Sequence, residues 1–187
     1  MAIKPVTRSI IALVILISYS SWGFFAHRRI NHVAGFTLPK AMAGFYRANI
    51  DFITEHSVDP DKKRYVDSLE GPRHFFDADH YGKRPFIKMP VKWDDAAKKY
   101  TADTLAKYGT VPWQIQYEYY KLVNAFKEHD TTAILKTSAN RGHYIADAHV
   151  PLHLTQNHNG QLPPGRAYMR YGKVVSPNYL AISINTR

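Results

Sequence analysis

Apolar residues along this chain recur three and four apart, and nowhere do they alternate for long enough to make a half-buried strand. The first apolar run, Ile10 to Ile17, is unbroken, follows Lys4 and Arg8, and gives way to Ser18, Ser20 and Ser21. It is too short to cross a membrane as a mature helix, and its basic start and small-residue end resemble an export signal cut after Ser20 or Ser21. Residues 1–21 are therefore expected to be a signal peptide, with an uncleaved membrane anchor as the alternative, and the protein is expected to be secreted or periplasmic.

Beyond that segment the pattern predicts a helix from Arg28 to Phe36 and another from Pro39 to His56, with Pro39 in its first turn. Val58–Lys63 reads as a polar, Pro-containing loop. A segment centred on His74 (Gly71–Tyr81) follows, then a Pro-broken basic loop (Gly82–Val91). Helices are expected over Asp94–Tyr108 with Gly109 after the end, over Pro112–His129, and over Thr131–Ala148. In the second of these, Trp113, Ile115, Tyr117, Tyr120, Val123 and Phe126 sit at helical spacing and read as core rather than as a base-stacking platform. The fold class is all-α, a single helical domain, with no internal repeat.

Composition changes that picture in two places. An apolar share of 45% over 187 residues supports one domain with a real core. The net charge of +10 would suggest a polyanion partner, but residues 1–21 carry +2 and residues 163–187 carry +4 without an acid. The remaining +4 argues only weakly for a nucleic-acid-binding module. Ten His and no Cys point to metal or proton chemistry built from imidazole and carboxylate.

That chemistry concentrates between His143 and His153. On a helix His143 and Asp147 are four apart and project from one face. Pro151 disfavours helix at Val150, so the chain turns there and brings His153 back towards the same place. His149 and His158, with Asp77 and Asp79, read as supporting or structural groups, since ligating imidazoles need partners that fix their tautomer.

Trp22-x4-His27, an Asp-then-His pair (Asp59 and His74) and His143-x3-Asp147-x5-His153 together resemble the superfamily of zinc-dependent phospholipases C and single-strand-specific nucleases of fungal and plant type. The resemblance runs over residues 22–162. It implies an all-α phospholipase C/nuclease-like domain that holds three zinc ions in a cleft. By resemblance the first zinc falls to Asp59, His74, His143 and Asp147, with Asp61 competing with Asp59. The third falls to the freed amino group and carbonyl of Trp22, to His27, and to Asp147 as a bridge. The second falls to His153 and a downstream His-x3-acid pair. Asp59 and Asp147 are thereby given the catalytic role, in a reaction where a metal-bound hydroxide attacks phosphorus. The implied substrate is a phospholipid or a single-stranded nucleic acid, with a lean to lipid. Transient contact with a membrane surface is implied, and a stable protein partner is not.

The chain departs from that pattern after Leu162, where no His occurs and the downstream pair is missing. Read one nucleotide out of frame with suitable codons, Tyr168 to Tyr179 can encode Ile-His-Ala-Leu-Trp-Glu-Ser-Arg-Leu-Pro-Glu-Leu, which contains a His-x3-Glu pair. Residues 163–187 are therefore expected to be an aberrant tail produced by a frameshift, the rival being a divergent tail. Two of the three zinc sites would then be retained and activity impaired. The alternative from another class is a non-catalytic metal-binding or interaction protein that keeps the scaffold.

Overall fold

A computed structural model describes residues 22–158. The expected signal peptide and the expected aberrant tail lie outside the described residues, as do residues 159–162. The described part is all-α and contains no strand. Its helices are α1 (Trp22–Phe36), α2 (Lys40–Ala48), α3 (Ile50–His56), α4 (Asp59–Lys63), α5 (Pro85–Lys88), α6 (Trp93–Tyr100), α7 (Ala102–Tyr108), α8 (Val111–Lys127) and α9 (Thr131–Ala148). Short 3₁₀ turns cover Gly71–His74, Ala78–Tyr81 and Pro151–Leu154. No helix among the described residues is long and apolar enough to cross a membrane.

Three expected elements differ in the structure. The stretch Pro39–His56 is broken at Asn49, whose side-chain amide donates to the Phe45 carbonyl at 2.9 Å and replaces helix continuation with a local bond. The stretch Asp94–Tyr108 is broken at Thr101, which takes a positive φ of 68° and caps α7 by accepting from the Thr104 amide. The expected loop Val58–Lys63 contains a helix, α4, with Pro60 in its first turn, where a missing N–H costs nothing.

Helices α8 and α9 pack as the long central pair, and α1 lies across α3 and α9. One apolar cluster gathers Phe76, Leu105, Val111, Trp113, Ile115, Tyr144 and Leu154; a second gathers Tyr46, Ile53, Ala125, Ile134, Leu135 and Ala139. Trp113 and Ile115 are core as expected, but Tyr117 and Tyr120 are exposed and Phe126 is at the surface. The inward face of α8 is instead partly polar, with Gln114 and Glu118 buried and bonded to each other.

Two glycines set distances that matter for the site. A Cβ on Gly142 would strike the Asn31 side chain, so glycine there lets α1 come close to α9 next to His143. Gly109 has φ +90°, and a Cβ would strike the Phe75 carbonyl, so it holds the segment after His74 against the start of α8.

Candidate metal centre

Asp147 stands at the middle of the site, on the last turn of α9 and 2% exposed. Asp130 caps that helix by accepting from the Ala133 amide, and Val150, extended ahead of Pro151, ends it as the sequence predicts. The two oxygens of Asp147 face different partners. Oδ2 lies 2.9 Å from His74 Nδ1 and 3.2 Å from His143 Nε2, while Oδ1 lies 3.3 Å from His27 Nε2 and 3.5 Å from His153 Nδ1.

Asp61, at the start of α4, joins both sides. Its Oδ1 is 3.8 Å from His74 Nδ1 and 4.0 Å from His143 Nε2, and its Oδ2 is 3.9 Å from His27 Nε2. His74 Nδ1 and His143 Nε2 are themselves 3.0 Å apart. Three donor atoms from His74, His143 and Asp147 thus surround one point, and Asp61 Oδ1 lies 3.8–4.0 Å from its two imidazoles. Zinc with ligands at ~2.0–2.1 Å spaces tetrahedral donors about 3.3–3.4 Å apart, which falls in the middle of these separations. The groups His27/Asp61/His143 and His74/His143/Asp147 could each hold a metal ion, and His27 Nε2 also faces Asp147 Oδ1.

The surrounding chain fixes which ring nitrogens are free to ligate. His143 Nδ1 donates to the Ser57 carbonyl at 2.8 Å, so the lone pair sits on Nε2, inside the cluster. His153 Nδ1 donates to the His74 carbonyl at 3.0 Å, which likewise leaves Nε2 with the lone pair. His74 is oriented the other way: Nε2 lies 3.7 Å from Glu70 Oε1, and Nδ1 faces Asp61 and Asp147. His27 and His143 stack with ring centroids 3.8 Å apart, and His27 Nδ1 is buried without a hydrogen-bond partner.

Glu70 anchors the rear of the site. It is fully buried and takes Lys63 Nζ and Arg73 Nη1, each at 2.7 Å, together with the Tyr144 hydroxyl. Burial alone would raise its carboxyl, but the neighbouring His74 ring and bonds from Lys63 and Tyr144 hold it well below the usual carboxylate range. Asp147 behaves the same way: burial opposes its charge, and His143, His27 and His74 more than offset that. Burial would lower His74, yet its bond to Asp147 and the neighbouring Glu70 carboxylate raise it. The place among these carboxylates therefore favours a cation.

Of the residues singled out from sequence, His27, His74, His143, Asp147 and His153 converge, and Trp22 is the first residue of the helix that carries His27. Asp59 does not join them. It is turned outward, with its Oδ2 2.5 Å from His56 Nδ1 and its Oδ1 2.9 Å from Lys62 Nζ, and Asp61 takes the place expected for it. Asp79 pins the segment after His153 by accepting from Thr155 Oγ1 and the Gln156 amide. His149 is exposed and bonds back to the Ile145 carbonyl. Glu70 is the supporting group that the sequence reading missed; its spacing of four from His74, with Arg73 between, was the available signal.

Compared with known protein families, curated proteins and solved structures, the chain matches none.

Proposed function

We propose that this protein is an exported, zinc-dependent hydrolase of phosphodiesters with a reduced metal cluster. The observation that carries the reading is Asp147, a buried carboxylate whose two oxygens serve two different imidazole pairs. A carboxylate with imidazoles facing both of its oxygens can bridge two ions. The donor set is imidazole and carboxylate without thiolate, which suits zinc. Zinc, when bound, supplies Lewis acidity for the phosphoryl oxygens and lowers the pKa of water towards neutrality.

The chain's own groups have separate tasks in this reading. Asp61, His74, His143 and Asp147 hold the first ion; His27, Asp61 and Asp147 hold the one beside it, with the amine of a chain cut before Trp22. His153 is the ligand of a further position: its Nδ1 lies 3.5 Å from Asp147 Oδ1, and it belongs to no group of three donors among the described residues. Export rests on the sequence of residues 1–21, and the substrate class rests on the resemblance of the ligand pattern.

The test is zinc content, by elemental analysis, of purified chain beginning at Trp22 after dialysis, followed by hydrolysis of bis(4-nitrophenyl) phosphate with and without chelator. About two zinc ions per chain and chelator-sensitive hydrolysis are expected. Zinc without hydrolysis would leave a metal-binding protein that keeps the scaffold. An absence of tightly held zinc would overturn the reading entirely.

A further inference from the structure

On the far side of Glu70 and Tyr144 from the metal centre lies a cavity of about 540 Å³, within the range of small-molecule sites. Its walls come from three places. The face of α8 that carries Gln114, Tyr117, Glu118 and Lys121 forms one side, and the face of α9 that carries Lys136, Asn140 and Tyr144 forms another. Lys63 and Arg73 close it from α4 and the turn before Phe75. The helical period places each set on one face, so the cavity is built by the packing of α8 on α9 rather than by loops.

Its charge is unbalanced. Lys63 and Arg73 line the space while each bonds Glu70 at 2.7 Å, and Lys63 also pairs with Asp67 at 3.4 Å. Lys121 lies over the Tyr117 ring at 5.6 Å, and Lys136 makes no hydrogen bond or ion pair among the described residues. Against these four cations stand two carboxylates of the lining: Asp59, which meets His56 and Lys62, and Glu118, whose side chain is only 4% exposed. Its Oε1 accepts from Gln114, while its Oε2 has no hydrogen-bond partner and lies 3.9 Å from Lys121 Nζ. Burial raises the Glu118 carboxyl.

We propose that this cavity is a second ligand site, distinct from the metal centre, for a small molecule bearing a phosphate group. Phosphate fits better than a single carboxylate because it is a dianion with three terminal oxygens, enough to take several lysine point charges and one guanidinium at once. The amides of Gln114 and Asn140 complete a polar lining for a hydroxyl-bearing remainder. This inference stands on the cavity alone and does not depend on the zinc reading.

Isothermal titration of the full chain with inorganic phosphate and with glycerol 3-phosphate tests it, in the native protein and in the double variant Lys121→Gln, Lys136→Gln. Both lysines are exposed, so the variant is expected to keep its helical circular dichroism and its metal content. The expected result is saturable binding that the variant weakens at least tenfold. Equal binding of both probes would identify free phosphate as the ligand; tighter binding of glycerol 3-phosphate would identify a phosphorylated alcohol. Binding that the variant leaves unchanged would place the anion at the metal centre and overturn the proposal, as would no binding at millimolar concentration.

Discussion

Glu70 and Asp147 are both withdrawn from water, at 0% and 2% exposure, and both reach His74, one towards each ring nitrogen. Their charges are met in different ways. Glu70 has Lys63, Arg73 and the Tyr144 hydroxyl, two of which carry permanent positive charge. Asp147 has four imidazoles and no lysine or arginine. A buried carboxylate is costly unless it is paired, and the chain pairs the first of these completely with its own cations. The second is surrounded by groups that are neutral when they donate lone pairs to a metal. The difference separates scaffold from site: Glu70 holds the helices and lies beside His74, and Asp147 sits among imidazoles with which it could hold a metal ion.

The largest break in that comparison is Asp147→Asn. On the proposed function it removes the oxygen charge shared by both ion positions, so zinc binding should be lost and phosphodiester hydrolysis should fall on the order of a thousandfold or more. Elemental analysis and the hydrolysis rate check both; a variant that keeps its zinc would show that the carboxylate does not bridge. Glu70→Gln should act on the scaffold instead. It leaves Lys63 and Arg73 facing a neutral amide, at a cost of about 3 kcal/mol in urea unfolding. Zinc should still bind, weakened roughly 10- to 100-fold because His74 loses the partner that orients it. Stability unchanged by Glu70→Gln would erase the distinction between the two carboxylates.

How far the site is legible in the sequence follows from local geometry. His143 and Asp147 were readable because a helix places residues four apart on one face, and the turn to His153 was readable from Pro151. The choice between Asp59 and Asp61 was not. Read as a loop, Val58–Lys63 gives no preference between them; folded as α4, it puts two positions two residues apart on directions about 200° apart. That rotation sends Asp61 to the imidazoles and Asp59 to His56. The helical fold was legible from periodicity, yet the breaks at Asn49 and Thr101 were not, because each rests on one side-chain bond. On α8 the inward face goes to the bonded pair Gln114 and Glu118, which leaves Tyr117 and Tyr120 outside although their spacing suits a core.

The same rotation sharpens the comparison at a smaller scale. Asp61→Asn should weaken zinc binding on the order of 10- to 100-fold, as expected when one donor of a cluster loses its charge. Asp59→Asn should leave zinc affinity unchanged, since its carboxylate meets only His56 and Lys62 at the surface. Competition with a fluorescent zinc chelator distinguishes them, and the reverse order of effects would return Asp59 to the site.

Asp77 supplies a carboxylate that has neither kind of partner. It is 9% exposed, lies near Asp79, and pairs with no lysine or arginine among the described residues. Burial first, and then the Asp79 charge, push its carboxyl up to about 6 from an ordinary 3.8, with His158 opposing slightly. An acid whose folded pKa is raised favours folding fully below its unfolded pKa, and that contribution is lost as pH rises through the folded value. Asp77→Asn removes the ionisation. Relative to the native chain, the variant should therefore gain on the order of 1–2 kcal/mol between pH 4 and pH 7.5. Urea unfolding at the two pH values reads that gain as a difference of differences, so a constant effect of losing the carboxylate shape cancels. A gap that does not widen with pH would mean that Asp77 is already charged and paired, as Glu70 is, and that burial without a partner is not what sets it apart.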